Sequence, residues 1–111
     1  MTSPLLDNIE IIESGYEFLL AFAAQGRETD NGTEVRKTLQ AMVDAAGALV
    51  GLLKPGDFSA VIADDARKSR AAIGLVLEQE QVSSELIDNL NVSIHLRALL
   101  TDLFLLSETR I

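Results

Sequence analysis

The sequence lacks cysteine and tryptophan and has a single histidine, His95. Without cysteine the chain cannot form disulfides, thiolate metal sites or a cysteine nucleophile. A chain of this kind fits a reducing compartment, and we expect a cytoplasmic protein. Glycine-rich phosphate loops, zinc patterns and the Gly-x-Ser-x-Gly elbow are also missing, and His95 has no histidine or Glu-x-x-His partner. We therefore expect no metal and no cofactor, and a binding role rather than an enzyme.

Positive charge is scarce. Nine lysines and arginines oppose seventeen acids, which gives a formal net charge of −8. The acids are spread over both halves of the sequence, so the charge belongs to the folded surface. Phosphate backbones and anionic membranes repel such a surface, and we expect neither nucleic acid nor membrane as a partner.

Long apolar runs are missing as well. The longest, residues 41–53, is interrupted by Asp44 and is too short to span a bilayer. The first 14 residues carry no basic group, so they do not resemble a signal peptide. We expect no transmembrane segment.

The residues that are present favour helices. Apolar residues make up 48% of the 111 residues, enough for one core and one domain spanning 1–111. Helix-breaking groups separate four apolar-periodic segments and no strand pattern occurs. The sequence predicts an all-α fold, an antiparallel up-down four-helix bundle possibly completed by dimerisation, with helices at about 4–25, 33–53, 58–80 and 84–107.

Two glycines have predicted roles in the first helix. Thr2 or Ser3 is its predicted cap, Pro4 suits its first turn, and Gly26 suits its C-terminal stop. Gly15 lies in the helix interior, where glycine costs about 1 kcal/mol relative to alanine. A close crossing with another helix would explain it.

Polar residues interrupt two apolar stripes. Asp65 and Ser69 lie in the third helical stripe and Arg97 lies in the fourth. A hairpin turning near residue 82 places position 65 opposite about 99, so we predict an Asp65–Arg97 ion pair and expect Ser69 near His95. Such a pair would fix helix register. The alternative is a ligand site that combines four polar residues with one aromatic: Arg97, Asp65, Ser69, His95 and Tyr16.

Apolar surface exceeds what a monomeric bundle needs. The first helix is apolar over a wide arc, and the end of the fourth is apolar nearly all round. The surplus side chains are the predicted interface: Ile11, Phe18, Phe22, Leu99, Leu105 and Leu106. They indicate tightly flanked helices, a homodimer, or a different protein partner.

Carboxylates on helices raise a third possibility. Glu10, Glu13 and Glu17 share one side of the first helix, and Glu85 and Asp88 have Glu-x-x-Asp spacing. Such oxygens can hold Mg²⁺. The spacing resembles part of the motif of the MazG-like all-α nucleoside-triphosphate pyrophosphohydrolases. The gap from Glu13 to Glu85 is too long for that motif and its leading Glu pair is absent, so no family is assigned.

Three functions therefore compete. The first is a non-catalytic interaction module (adaptor, regulator or chaperone) that uses the apolar face of the first and fourth helices. The second is a small-molecule-binding bundle with a polar site around Arg97 and Asp65. The third is a Mg²⁺-dependent all-α hydrolase.

Overall fold

The computed structural model describes residues 3–29 and 34–109, and all regular structure in these ranges is helical. It contains α1 (Pro4–Ala24), α2 (Glu34–Val50), α3 (Asp57–Leu77), α4 (Ser84–Asn91) and α5 (Ile94–Thr109). The prediction of an all-α chain is confirmed. The predicted start of the second helix at residue 33 and the predicted cap Thr2 lie outside the described residues.

The ends of α1 follow from its sequence. The Ser3 hydroxyl accepts a hydrogen bond from the Leu6 N–H at 3.4 Å, and Pro4 occupies the first turn. At the other end, Gly26 adopts a φ of +67°, the left-handed conformation that glycine reaches without a steric penalty. The predicted cap and stop are confirmed.

The predicted fourth helix is wrong in one respect, because it is two helices. α4 and α5 meet at an angle of 54°. The Val92 N–H still bonds to the Asp88 carbonyl at 3.1 Å, but the Ser93 N–H bonds three residues back, to Leu90 at 3.1 Å. Asn91, Val92 and Ser93 are poor helix formers, since asparagine and serine side chains compete for backbone groups and valine loses rotamer freedom.

Core packing explains why a break belongs there. Leu90 and Leu96 are both buried, although six residues of continuous helix would place them roughly 120° apart around the axis at about 100° per residue. The bend turns both side chains inward. Apolar periodicity continues through the break, so the sequence pattern does not reveal it.

The helices pack in a ring around one core. α1 packs on α2, α2 on α3, and α3 on α5, while α1 also packs on α4. Every helix contributes side chains that are almost fully enclosed, among them Ile12, Leu39, Ile73, Ile87 and Leu103.

The α1–α2 crossing is close at Gly15. A Cβ atom placed on this buried glycine would lie 2.6 Å from Met42 Cγ and 2.7 Å from Met42 Sδ. The sequence-based explanation for an interior glycine, a tight helix crossing, is confirmed.

Candidate functional site

The predicted polar site does not assemble. Arg97 is exposed and forms no ion pair with a described residue, so the predicted Asp65–Arg97 pair is wrong. Tyr16 lies on α1 and packs against the core. The Ser69 hydroxyl donates to the His95 carbonyl at 2.9 Å, which confirms that Ser69 lies near His95. The His95 side chain is exposed, so only its backbone takes part.

The half-buried Asp65 carboxyl group pairs with Asp102 instead. Asp102 is buried, with only 7% of its surface exposed. Burial, and after it the neighbouring Asp65 carboxyl group, raises the pKa of Asp102 to about 7. A carboxylic acid on Asp102 can donate a hydrogen bond to the Asp65 carboxyl group, which is why this neighbour adds to the effect of burial.

Sequence reasoning missed Asp102, although one signal was present. Asp102 stands with Leu99, Leu103 and Leu106 at helical spacings of three and four, which places it on an inward face. Ser69 and His95 lie opposite each other as the predicted register requires, but Arg97 is exposed and Asp102 lies beside Asp65 instead. The error therefore concerns which face of α5 meets α3, not the register of the two helices.

The helix-borne carboxylates do not form a metal centre. Glu10, Glu17, Glu85 and Asp88 are exposed and Glu13 is half-buried. Within residues 3–29 and 34–109, no group of three or more acidic or histidine side chains is close enough to hold a metal ion. The hydrolase alternative thus gains no support from the geometry.

Two of the predicted interface residues are core residues. Phe22 is 3% exposed and Leu99 is 1% exposed within a single chain, so their assignment to an interface is wrong. The reason is that α1 is covered by both α2 and α4, while α5 is covered by α3. Phe18 and Leu106 are half-buried against the core. Ile11 and Leu105 are exposed, at 40% and 51%.

An apolar groove of about 610 Å³ opens at one end of the molecule. Four parts of the chain surround it: the start of α1, the α2–α3 turn, the first turns of α3 and the end of α5. We call it the end groove, and its lining residues are Leu5, Leu52, Leu53, Lys54, Pro55, Gly56, Phe58, Ser59, Ile62, Leu105, Leu106 and Thr109. Leu52, Phe58 and Leu105 are exposed there.

The α2–α3 turn shapes this groove. α2 ends at Val50, before the predicted residue 53, and the Leu52 N–H bonds to the Leu49 carbonyl in a tight turn at 3.0 Å. The Ser59 hydroxyl then donates to the Lys54 carbonyl, which fastens the turn to the first turn of α3. Leu52 and Leu53 are thereby held outside any helix and face the groove.

A second depression lies where the α1–α2 loop meets α4, and Ser84 at its base is engaged in structural hydrogen bonds. The Ser84 hydroxyl donates to the Phe22 carbonyl at 2.6 Å and accepts from the Arg27 N–H at 2.8 Å. The Ser84 N–H donates to the Arg27 carbonyl at 2.8 Å. The Arg27 guanidinium lies 5.4 Å from the centre of the Phe22 ring. These contacts tie the loop to α4, which is a structural role.

Comparison with known proteins assigns no function: the chain matches no family model, no curated protein and no solved structure. Within the described ranges, no single helix is long and apolar enough to cross a bilayer, and α4 with α5 passes that test only as a bent pair.

Proposed function

We propose that this chain is a non-catalytic interaction module that binds an apolar segment of a protein in the end groove. One observation carries the proposal: large apolar side chains from α3, α5 and the α2–α3 turn line one groove yet remain exposed. An exposed apolar patch of this kind marks interaction sites on monomeric proteins. The groove also includes Leu105 and Leu106, two of the side chains that the sequence predicts to be in surplus, whereas none of the surplus side chains of the first helix lines it.

Three exposed side chains of the groove would supply most of the apolar binding energy. Leu52, Phe58 and Leu105 are between 39% and 51% exposed. Complete burial of a Leu or Phe side chain is worth about 1.5–3 kcal/mol, so covering the exposed part of each contributes about 1 kcal/mol. Three such side chains in one groove form a compact hot spot for a partner.

We also propose that neighbouring helices run antiparallel. Near the start of α2, the Arg36 guanidinium donates to the Leu77 carbonyl at the end of α3, at 3.3 Å. Further along α2, Gly47 lies against the Arg70 guanidinium, which is earlier in α3. Contacts that advance along one helix while they recede along the other support antiparallel packing.

The α3–α5 pair supports the same arrangement. Asp65 lies beside Asp102, while Ser69, later in α3, bonds to His95, earlier in α5. We infer a bundle of four helical layers in which α4 and α5 together form the fourth. This order places the ends of α3 and α5 that carry the groove side by side.

A homodimer is the second candidate for the occupant of the groove. Leu105, from the predicted interface, is exposed in the groove, and Leu106 lines it. Twofold dimers are the commonest oligomers, and they bury the same patch on both copies.

The test removes apolar contact without adding charge. We expect a fluorescein-labelled helical peptide, with leucines at i, i+3, i+4 and i+7, to bind the chain in anisotropy titrations. Leu105→Asn or Phe58→Ser should weaken binding about five- to tenfold, because roughly 1 kcal/mol of contact is lost. Leu75→Asn is the matched control, since Leu75 is 62% exposed and lies outside the groove.

Light scattering after size exclusion tests the dimer with the same variants. Dissociation by Leu105→Asn but not by Leu75→Asn would assign the groove to self-association. A monomeric chain that binds no apolar peptide would contradict the proposed function.

A further inference from the structure

The charges around the end groove indicate what kind of partner it fits. We infer that the groove binds a basic amphipathic helix from another protein, with the apolar face of that helix in the groove and its lysines and arginines over the rim. This inference rests on the proposed function and adds the chemistry of the partner.

Two acidic residues, Asp57 and Glu108, adjoin lining residues without lining the groove themselves, and we call this pair the acidic rim. Asp57 lies between the lining residues Gly56 and Phe58, and Glu108 follows Leu105 by one helical turn and precedes Thr109. Both carboxylates are exposed, and neither takes part in an ion pair with a described residue. Lys54 is the single cationic residue among the lining residues. The carboxylates are therefore available to a partner.

The chain itself has little positive charge with which to meet this rim. Arg67 and Lys68 are held by Asp64 at 2.9 and 3.0 Å. The Arg36 guanidinium donates to backbone carbonyls at the end of α3, and Arg70 lies against Gly47. The exposed cations that another copy could offer include Lys37, Lys54 and Arg97, which are few against seventeen acids.

Net charge argues against a second copy in the same way. Each chain carries −8, and a twofold dimer places the same acidic rim on both sides of the interface. Like charges facing each other oppose association, whereas a cationic partner is steered towards the groove and held at its rim.

The apolar lining of the groove suits a helix. Its side chains come from the ends of three helices and from the α2–α3 turn, and helix-in-groove recognition places apolar side chains at i, i+3, i+4 and i+7 in an apolar groove. A basic polar face on that helix would lie over Asp57 and Glu108.

The experiment compares two labelled peptides that share one leucine face. One carries lysine and arginine on its polar face and the other carries glutamate. At about 50 mM NaCl we expect the basic peptide to bind the intact chain at least about tenfold more tightly than the acidic peptide, and about 300 mM NaCl should reduce that affinity ratio by screening.

Glu108→Gln should reduce the advantage of the basic peptide about two- to threefold, as expected for one exposed charge pair. Glu17→Gln, an exposed change in the middle of α1, should leave it unchanged.

Three other outcomes would contradict the inference, and they differ in what they imply for the proposed function. Equal affinity for both peptides, lost with Phe58→Ser, would refute the basic partner while the groove remains a binding site. A dimer that excludes both peptides and dissociates with Phe58→Ser would identify a second copy as the occupant. A monomer that binds neither peptide would refute both this inference and the proposed function.

Discussion

Replacing Asp102 with asparagine should make the protein more stable at pH 8 and flatten the pH dependence of its stability. In the folded chain the pKa of Asp102 is about 7, raised by burial and then by Asp65, against an ordinary value of 3.8. The folded state thus holds a proton that the unfolded state has already lost. Stability is then highest at low pH, falls between about pH 4 and pH 7, and levels off above pH 7.

The magnitude follows from the two pKa values. At about 1.4 kcal/mol per pH unit, the interval from 3.8 to about 7 corresponds to at most about 4 kcal/mol of lost stability. Asparagine has the same shape and no charge to neutralise, but its amide also needs hydrogen-bond partners. We therefore expect Asp102→Asn to gain about 1–3 kcal/mol at pH 8 and to gain little near pH 4.

Urea unfolding followed by far-ultraviolet circular dichroism measures this directly. Between about pH 5 and pH 8 the parent chain should lose up to about 2.5 kcal/mol, and Asp102→Asn should lose much less. Asp65→Asn should flatten the curve partially, since burial of Asp102 remains. Asp64 does not contribute to the change in unfolding free energy over this range. Lys68 and Arg67 hold its pKa below the ordinary value, so its carboxylate stays ionised.

The same experiment can refute the argument. Parallel curves for the parent chain and Asp102→Asn would show that Asp102 titrates normally. A variant that is less stable than the parent at pH 8 would show that the buried carboxylate is stabilised by its surroundings. Glu17→Gln, an exposed change, is the control for a general effect of lost negative charge.

Two further predictions concern packing. Gly15→Ala should destabilise the chain by about 1–2 kcal/mol in urea unfolding, because overpacking against Met42 exceeds the gain of about 1 kcal/mol in helix propensity; a more stable variant would show that Met42 moves freely. Ser84→Ala should cost about 1–3 kcal/mol, since the Arg27 N–H loses its hydroxyl acceptor and the Phe22 carbonyl its donor. Hydrogen exchange should then rise at Arg27, and unchanged exchange there would contradict the loop-fastening role of Ser84.

Local signals in the sequence predicted the elements of the fold and failed at contacts that depend on orientation. The role of Gly26 could be predicted because the left-handed conformation that stops α1 depends on that residue alone. Gly15 indicated a helix crossing because the helix-propensity cost of glycine is also a property of a single position. The Asp65–Arg97 pair required the relative rotation of two helices. The weak break at residues 91–93 sets that rotation, and the continuous apolar pattern through it conceals the break.

The prediction that Phe22 and Leu99 lie at an interface failed for a related reason. Phe22 and Leu99 belong to helices with neighbours on two sides, so a wide apolar arc is what their positions require. A sequence shows the width of an apolar arc but not how many helices cover it. Leu105 lies near the end of α5, where the α2–α3 turn forms part of the surrounding groove.

That turn is the physical origin of the end groove. Backbone groups in a turn lack the regular partners of a helix and must stay near water, so a turn cannot cover its neighbours as a helix does. Leu103 of α5 is fully buried, whereas Leu105, nearer the end of the helix, is 51% exposed beside the turn. Two residues of helix rotate a side chain by roughly 200°, so Leu103 faces the core while Leu105 faces the groove. We propose that a partner covers these groove side chains, and the two-peptide comparison tests the kind of partner directly.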